Sequence, residues 1–275
     1  MRFQVKLASK FYPRKKDSSF ASIDPILILH GLFGSSKNWV TVAEYLTEFS
    51  DVYCLDLRNH GDSPHSTEHT LEAMAADVDE FLTDRNILSA ILLGHSMGGL
   101  TAMTVSLRFP DKVSRLLVED VAPRDYEFAY EAELSALMID VSDSKSRQEI
   151  DSKMAVYVPD SFIRNFLLMN LERKEEGGYR WKLNVEALAK SRRMFESQFE
   201  ARKSRFSKPA FFILGAASGY FREEDREPTI GYFPNAKFYS IPGGDHYIHF
   251  TKAKEFKEII TGIFHSNEFF SVKSN

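Results

Sequence analysis

Cysteine is almost missing: Cys54 is the only one in 275 residues. That excludes an intramolecular disulfide and a multi-cysteine zinc site, and it suits a reducing compartment. No apolar run approaches the roughly 20 residues that span a bilayer, and no signal-type apolar region follows the start. Stable membrane insertion is therefore not expected, and the expected address is cytoplasmic. Positive charge is not in excess either, since 35 Lys and Arg stand against 39 Asp and Glu for a net charge of -4. A phosphate backbone attracts proteins through Lys and Arg, so nucleic acid is not an expected partner. There is no H-E-x-x-H or similar ligand spacing, which leaves metal catalysis without support. Internal repeats and low-complexity segments are also lacking.

What is present is the composition of a packed globular protein, 43% hydrophobic and 27% charged. The length suits a single α/β domain over 1–275 that carries an insertion. The first sixteen residues are basic, but Phe3, Val5 and Leu7 alternate with Gln4 and Lys6 at the period of a half-buried strand, which predicts a first strand there. Short β-rich runs follow at 25–31, 52–57, 90–96, 114–121, 209–215 and 236–243, separated by longer amphipathic stretches. Such alternation predicts a mostly parallel sheet covered by helices. One helix is expected over 70–84, with Leu71, Met74, Val78, Phe81 and Leu82 on its apolar face, and a final one over 251–264. The spacing breaks after Val121, and no comparable run appears before Pro209. The helix-forming stretch between them predicts a helical lid at about 124–206, inserted between two strands, with a turn at Gly177 and Gly178.

The segment Gly94-His95-Ser96-Met97-Gly98 matches G-x-S-x-G, with a β run before it and a helical pattern after it. A serine on such a strand-to-helix turn is pushed out of the sheet, and the close approach of strand and helix demands small residues two positions to either side. Ser96 is the candidate nucleophile, Gly94 and Gly98 its steric support, and the Met97 N–H one candidate oxyanion donor. A second donor is expected from HGLFG (30–34): Leu32 first and Phe33 second, with His30 supporting the loop through hydrogen bonds.

The base should follow the nucleophile in the chain. Of His246, His249 and His265, His246 in PGGDHYIHF lies in the loop after the last strand, where a parallel sheet presents its chemistry; His249 reads as a packing or capping residue. The acid belongs at the same sheet edge. Asp120 falls at a strand end there, whereas Glu119 alternates to the other side and Asp245 is sequence-adjacent to His246. Glu223, Glu224 and Asp225 read as a solvated helix start, and Ser218 is a polar group expected near the histidine. In DLRNHGDSPHS (56–66), Asp56, Arg58 and Asp62 are expected to tie the loop together.

HGLFGSSKNW, DLRNHGDSPHS, GHSMGG, EDVAPRDY and RWKLNVEAL together resemble the α/β-hydrolase domain-containing protein 11 family and its bacterial esterase relatives, over nearly the whole chain. The resemblance implies the α/β-hydrolase fold and a serine esterase acting on short acyl esters or thioesters without a cofactor, through Ser96, Asp120 and His246. Two positions depart from the family pattern: Asp245 replaces a glycine before the histidine, and 215–218 reads GAAS instead of GGNS. The same residues would also serve a perhydrolase or a C–C bond hydrolase, and the fold alone would serve a ligand-binding protein with incidental turnover. Oligomeric state leaves no mark on the sequence.

Overall fold

The structure is a computed structural model that describes residues 5–18, 23–193, 195, 199, 204–266 and 269. Its centre is a seven-stranded sheet built from β1 (Ser9–Tyr12), β2 (Ile26–Leu29), β3 (Val52–Leu55), β4 (Ala90–His95), β5 (Val113–Glu119), β8 (Ala210–Gly215) and β9 (Ala236–Ile241). The spatial order is β1-β3-β2-β4-β5-β8-β9. Every pairing is parallel except that of β1 with β3. The six runs after the first fall where the sequence predicts strands. The first does not: Phe3 and Gln4 lie outside the described residues, Val5 and Leu7 are buried but precede the strand, and pairing begins at Ser9. Backbone pairing with Cys54 and its neighbours, not side-chain alternation, places β1.

Both faces of the sheet are covered. On β2, Leu27 and Leu29 point into one core with α2 (Leu71–Asp84) and α3 (Met97–Arg108), while Ile26 and Ile28 point into the other with α1 (Val40–Leu46) and α10 (Ala253–His265). A strand buried on both sides needs an unbroken apolar run, and ILIL supplies it. Helix α2 starts where Thr70 Oγ1 accepts the Ala73 N–H at 3.2 Å, a cap worth about 1 kcal/mol. Near the C-terminus the expected single helix is two, α9 (Ile248–Thr251) and α10, broken at Lys252. Among the described residues no helix is long and apolar enough to cross a membrane.

Between β5 and β8 the chain forms α4 (Glu131–Leu137), α5 (Arg147–Met154), α6 (Ser161–Leu168) and α7 (Val185–Lys190). Between α6 and α7 it also forms a hairpin of β6 (Leu171–Arg173) and β7 (Tyr179–Trp181), which helical composition did not announce. Its turn carries Gly177 and Gly178, both at positive φ, as expected. After β8 a short turn of helix leads into α8 (Arg226–Tyr232).

Candidate active site

The carboxyl ends of β4, β5 and β8 and the loop after β9 bring the candidate residues together. Ser96 joins β4 to α3 with φ 51° and ψ -119°, a left-handed conformation that a non-glycine residue holds only under strain. The surrounding backbone imposes it: a Cβ at Gly94 would lie 2.3 Å from the Gly98 carbonyl oxygen, and one at Gly98 only 2.2 Å from that of Leu29. Strand, turn and helix can approach this closely only with glycine at both positions.

Asp120, also at positive φ, ends β5 fully buried. Its Oδ2 lies 2.8 Å from His246 Nδ1 and accepts the Ser218 hydroxyl at 2.5 Å, while Oδ1 accepts the Gly215 N–H at 2.9 Å. Three donors therefore fix the carboxylate, two of them from the β8 end. Since a carboxylate accepts, Nδ1 carries the proton, and Nε2 is the nitrogen left for chemistry. Tyr220 stacks on the His246 ring, with centroids 3.6 Å apart and planes at 14°. Ser96 and His246 line one cavity with Leu32, Phe33 and aromatic and aliphatic side chains of α6.

The amides of Leu32 and Met97 donate no hydrogen bond among the described residues, whereas Phe33 donates its N–H to His60 Nε2 at 3.2 Å. His30 accepts the Leu57 N–H on Nε2 at 2.9 Å and donates from Nδ1 to the Gly31 carbonyl at 2.8 Å, bracing the loop.

Several neighbours sit differently from expectation. Arg58 turns away from Asp56 and Asp62 to make a buried two-pronged ion pair with Asp77 of α2, at 2.6 and 2.7 Å. Asp56 instead accepts the N–H groups of Ser36 and Asp62, and Asp62 pairs with Lys182. Asp225 is not solvated: it is buried against Arg124 at 3.1 Å, because Arg124 lies just past β5 and folds onto the start of α8. Asp245 accepts from the Tyr247 N–H and the Thr251 hydroxyl.

Sequence reading missed a buried cluster behind the site. Glu119 Oε1 accepts from the His249 backbone at 3.1 Å and lies 2.7 Å from its Nδ1. His249 stacks on Trp39 at 4.4 Å, and His95 Nε2 donates to the His246 carbonyl at 2.8 Å. Burial pushes Glu119 up to about 7 and both His95 and His249 down to about 3. One ligand atom from each of His95, Glu119 and His249 falls within 4.8 Å of the others, a donor set that would suit a divalent cation. Two of these groups already bond each other and the third holds the His246 backbone, so the cluster also serves as a brace. Its members are 24 to 154 residues apart in the chain, so no local spacing announces it.

Residues 24–253 match the family described as alpha/beta hydrolase fold. The chain is an α/β-hydrolase. The hydrolase is 35% identical over 251 residues to the mouse sn-1-specific diacylglycerol lipase ABHD11, covering 88% of this chain and 81% of that protein. It is 31% identical to Esterase YbfF of Escherichia coli over 230 residues, 83% of this chain and 88% of the esterase. Among solved structures, a marine microorganism esterase superposes with a TM-score of 0.88 at 36% identity, covering 94% of this chain and 99% of that one. The resemblance read from the motifs is therefore to the right family, and the relatives are of the esterase and lipase type.

Proposed function

We propose that the protein is a serine carboxylesterase or thioesterase that cleaves short-chain acyl esters through an acyl-enzyme, with 124–206 as its lid. The observation that carries this reading is the 2.8 Å contact of His246 with buried Asp120, in the loop beside a serine held on a strained elbow. Ser96 Oγ attacks the acyl carbon while His246 Nε2 takes its proton. Asp120 keeps the proton of Nδ1 in place and stabilises the imidazolium. The charge that develops on the carbonyl oxygen falls to the unspent amides of Leu32 and Met97. Collapse breaks the bond to the leaving alcohol or thiol, which receives the proton from His246. Water, deprotonated by His246, then attacks the acyl-enzyme, and the free acid departs with Ser96 restored. No cofactor enters this sequence of steps.

A preference for short acyl chains is read from the lining, because Ile163, Phe166 and Leu167 of α6 and Leu32 and Phe33 of the loop after β2 crowd the space beside Ser96. The test is labelling with a fluorophosphonate probe, followed by hydrolysis of chromogenic esters from acetyl to palmitoyl. Labelling on Ser96 and faster turnover of acetyl to hexanoyl esters than of palmitoyl are expected. Labelling elsewhere, or a rate that climbs with chain length on lipid surfaces, would overturn the reading.

A further inference from the structure

Ser96 lines two neighbouring cavities; among the described residues, Glu133 is the carboxylate of the one that also holds His246, and Glu127 that of the other. Glu133 comes from α4 and faces surroundings that are otherwise apolar, aromatic or part of the catalytic group. Its helix neighbour Glu131 is ion-paired with Arg192 at 2.5 Å, but no cation pairs with Glu133 among the described residues. Burial pushes its carboxyl above the ordinary value. Glu133 shares the cavity lining with Tyr130 and Tyr247, and burial first, then nearby negative charge that includes Glu133, raises the Tyr220 and Tyr247 hydroxyls. Aromatic rings line the same cavity: Tyr130 meets Phe33 edge-on at 5.8 Å and bonds Tyr220 through their hydroxyls at 2.8 Å, and Phe166 lies 5.4 Å from Tyr247.

A partly desolvated carboxylate without a counter-ion costs free energy that an arriving cation recovers. Aromatic rings attract the same ligand through their negative faces, most strongly when it bears an alkylated ammonium. An anionic arm would meet repulsion from the same group. We propose that the ester opened by Ser96 carries a positive charge, an amine or quaternary ammonium, on the arm that reaches Glu133 and the tyrosines around it. This rests on the hydrolase reading and makes Glu133 the residue that selects substrate by charge.

The test compares acetylcholine with neohexyl acetate, its uncharged carbon isostere, on the full chain. The wild type should favour the cation in kcat/KM by on the order of tenfold, the scale of a partly desolvated cation–carboxylate and cation–π contact. Glu133→Gln should bring the ratio near one, and Glu133→Asp should restore part of it. A wild-type ratio of one or below, or a ratio that Glu133→Gln leaves unchanged, overturns the proposal. Calorimetric binding of choline and neohexyl alcohol asks the same question without turnover; equal affinity overturns it even if Ser96 hydrolyses both esters. If choline is preferred but Ser96→Ala hydrolyses like the wild type, the hydrolase reading fails and the charge selectivity stands.

Discussion

Ser96 and Asp120 both sit at positive φ, with values of 51° and 50°, and each is held there by its neighbours. Strain at two non-glycine residues persists only where the surroundings over-determine it, and functional sites are where it collects. Replacing Ser96 with Ala keeps the Cβ and the backbone, so the protein should fold as before while probe labelling vanishes and ester turnover drops by several orders of magnitude. A variant that still labels would transfer the nucleophile to another residue. Asp120→Asn is the sharper case. The amide keeps an acceptor for Gly215 but withdraws the charge from His246 Nδ1 and favours the wrong tautomer; in a protease triad the same change costs roughly 10⁴ in turnover. Steady-state rates on one chromogenic ester, with circular dichroism to check the fold, decide the matter, and near-full activity would remove Asp120 from the mechanism.

The elements that carry these residues depend on contacts far tighter than ordinary packing. Strand β4 and helix α3 meet at the elbow because Gly94 and Gly98 leave no side chain between them, and α3 passes close enough to β2 that the Leu29 carbonyl would lie 2.2 Å from a Cβ on Gly98. Gly98→Ala should therefore push α3 off the sheet, and a destabilisation of about 3 kcal/mol or more is expected from forced overpacking against backbone. Urea unfolding would register it as a lower midpoint, and an unchanged midpoint would mean that the elbow can open without cost. The loop after β9 is braced differently, by Glu119 holding His249 and by His95 holding the His246 carbonyl. These groups hold the loop that carries His246.

Across the whole molecule, five histidines are fully buried, and burial lowers each of them: His30, His60, His69, His95 and His249, the last three to about 3. In the unfolded chain a histidine takes its proton near pH 6.5. Below that value the unfolded state binds protons that the folded state refuses, so stability falls as pH drops from about 6.5 toward 3. By pH 5 each of the three lowest costs on the order of 2 kcal/mol. Glu119 acts in the opposite sense: raised to about 7, it holds a proton that the unfolded chain gives up, and its contribution is full below about pH 4.5 and lost as pH rises through 7. Burial raises Asp77 and Glu133 as well, and these three carboxyls act against five histidines. The thermal midpoint should fall steadily between pH 7 and pH 5, and a flat or rising midpoint over that range would contradict the burial of these side chains.

Local signals in the chain determined the parts of this protein that local physics controls. Runs such as ILIL and AILLGH can bury both faces only inside a covered parallel sheet, and glycines two residues either side of Ser96 answer a clash between adjacent elements. Chain order and sheet edge pointed to His246 and Asp120, which the fold brings to 2.8 Å from each other. Helices were legible between Val121 and Pro209, where α4 to α7 lie, but not the β6–β7 hairpin, whose strands are three residues each and show no lasting alternation. Tertiary structure alone decided the pairs formed across long separations: Arg58 with Asp77, Arg124 with Asp225, Glu119 with His249, and Tyr220 laid over His246. A charged side chain reads the same whether it ends in solvent or against a partner a hundred residues away. What settles its place is the desolvation cost that only packing imposes, which is why Asp225 looked solvated in the sequence and is buried in the fold.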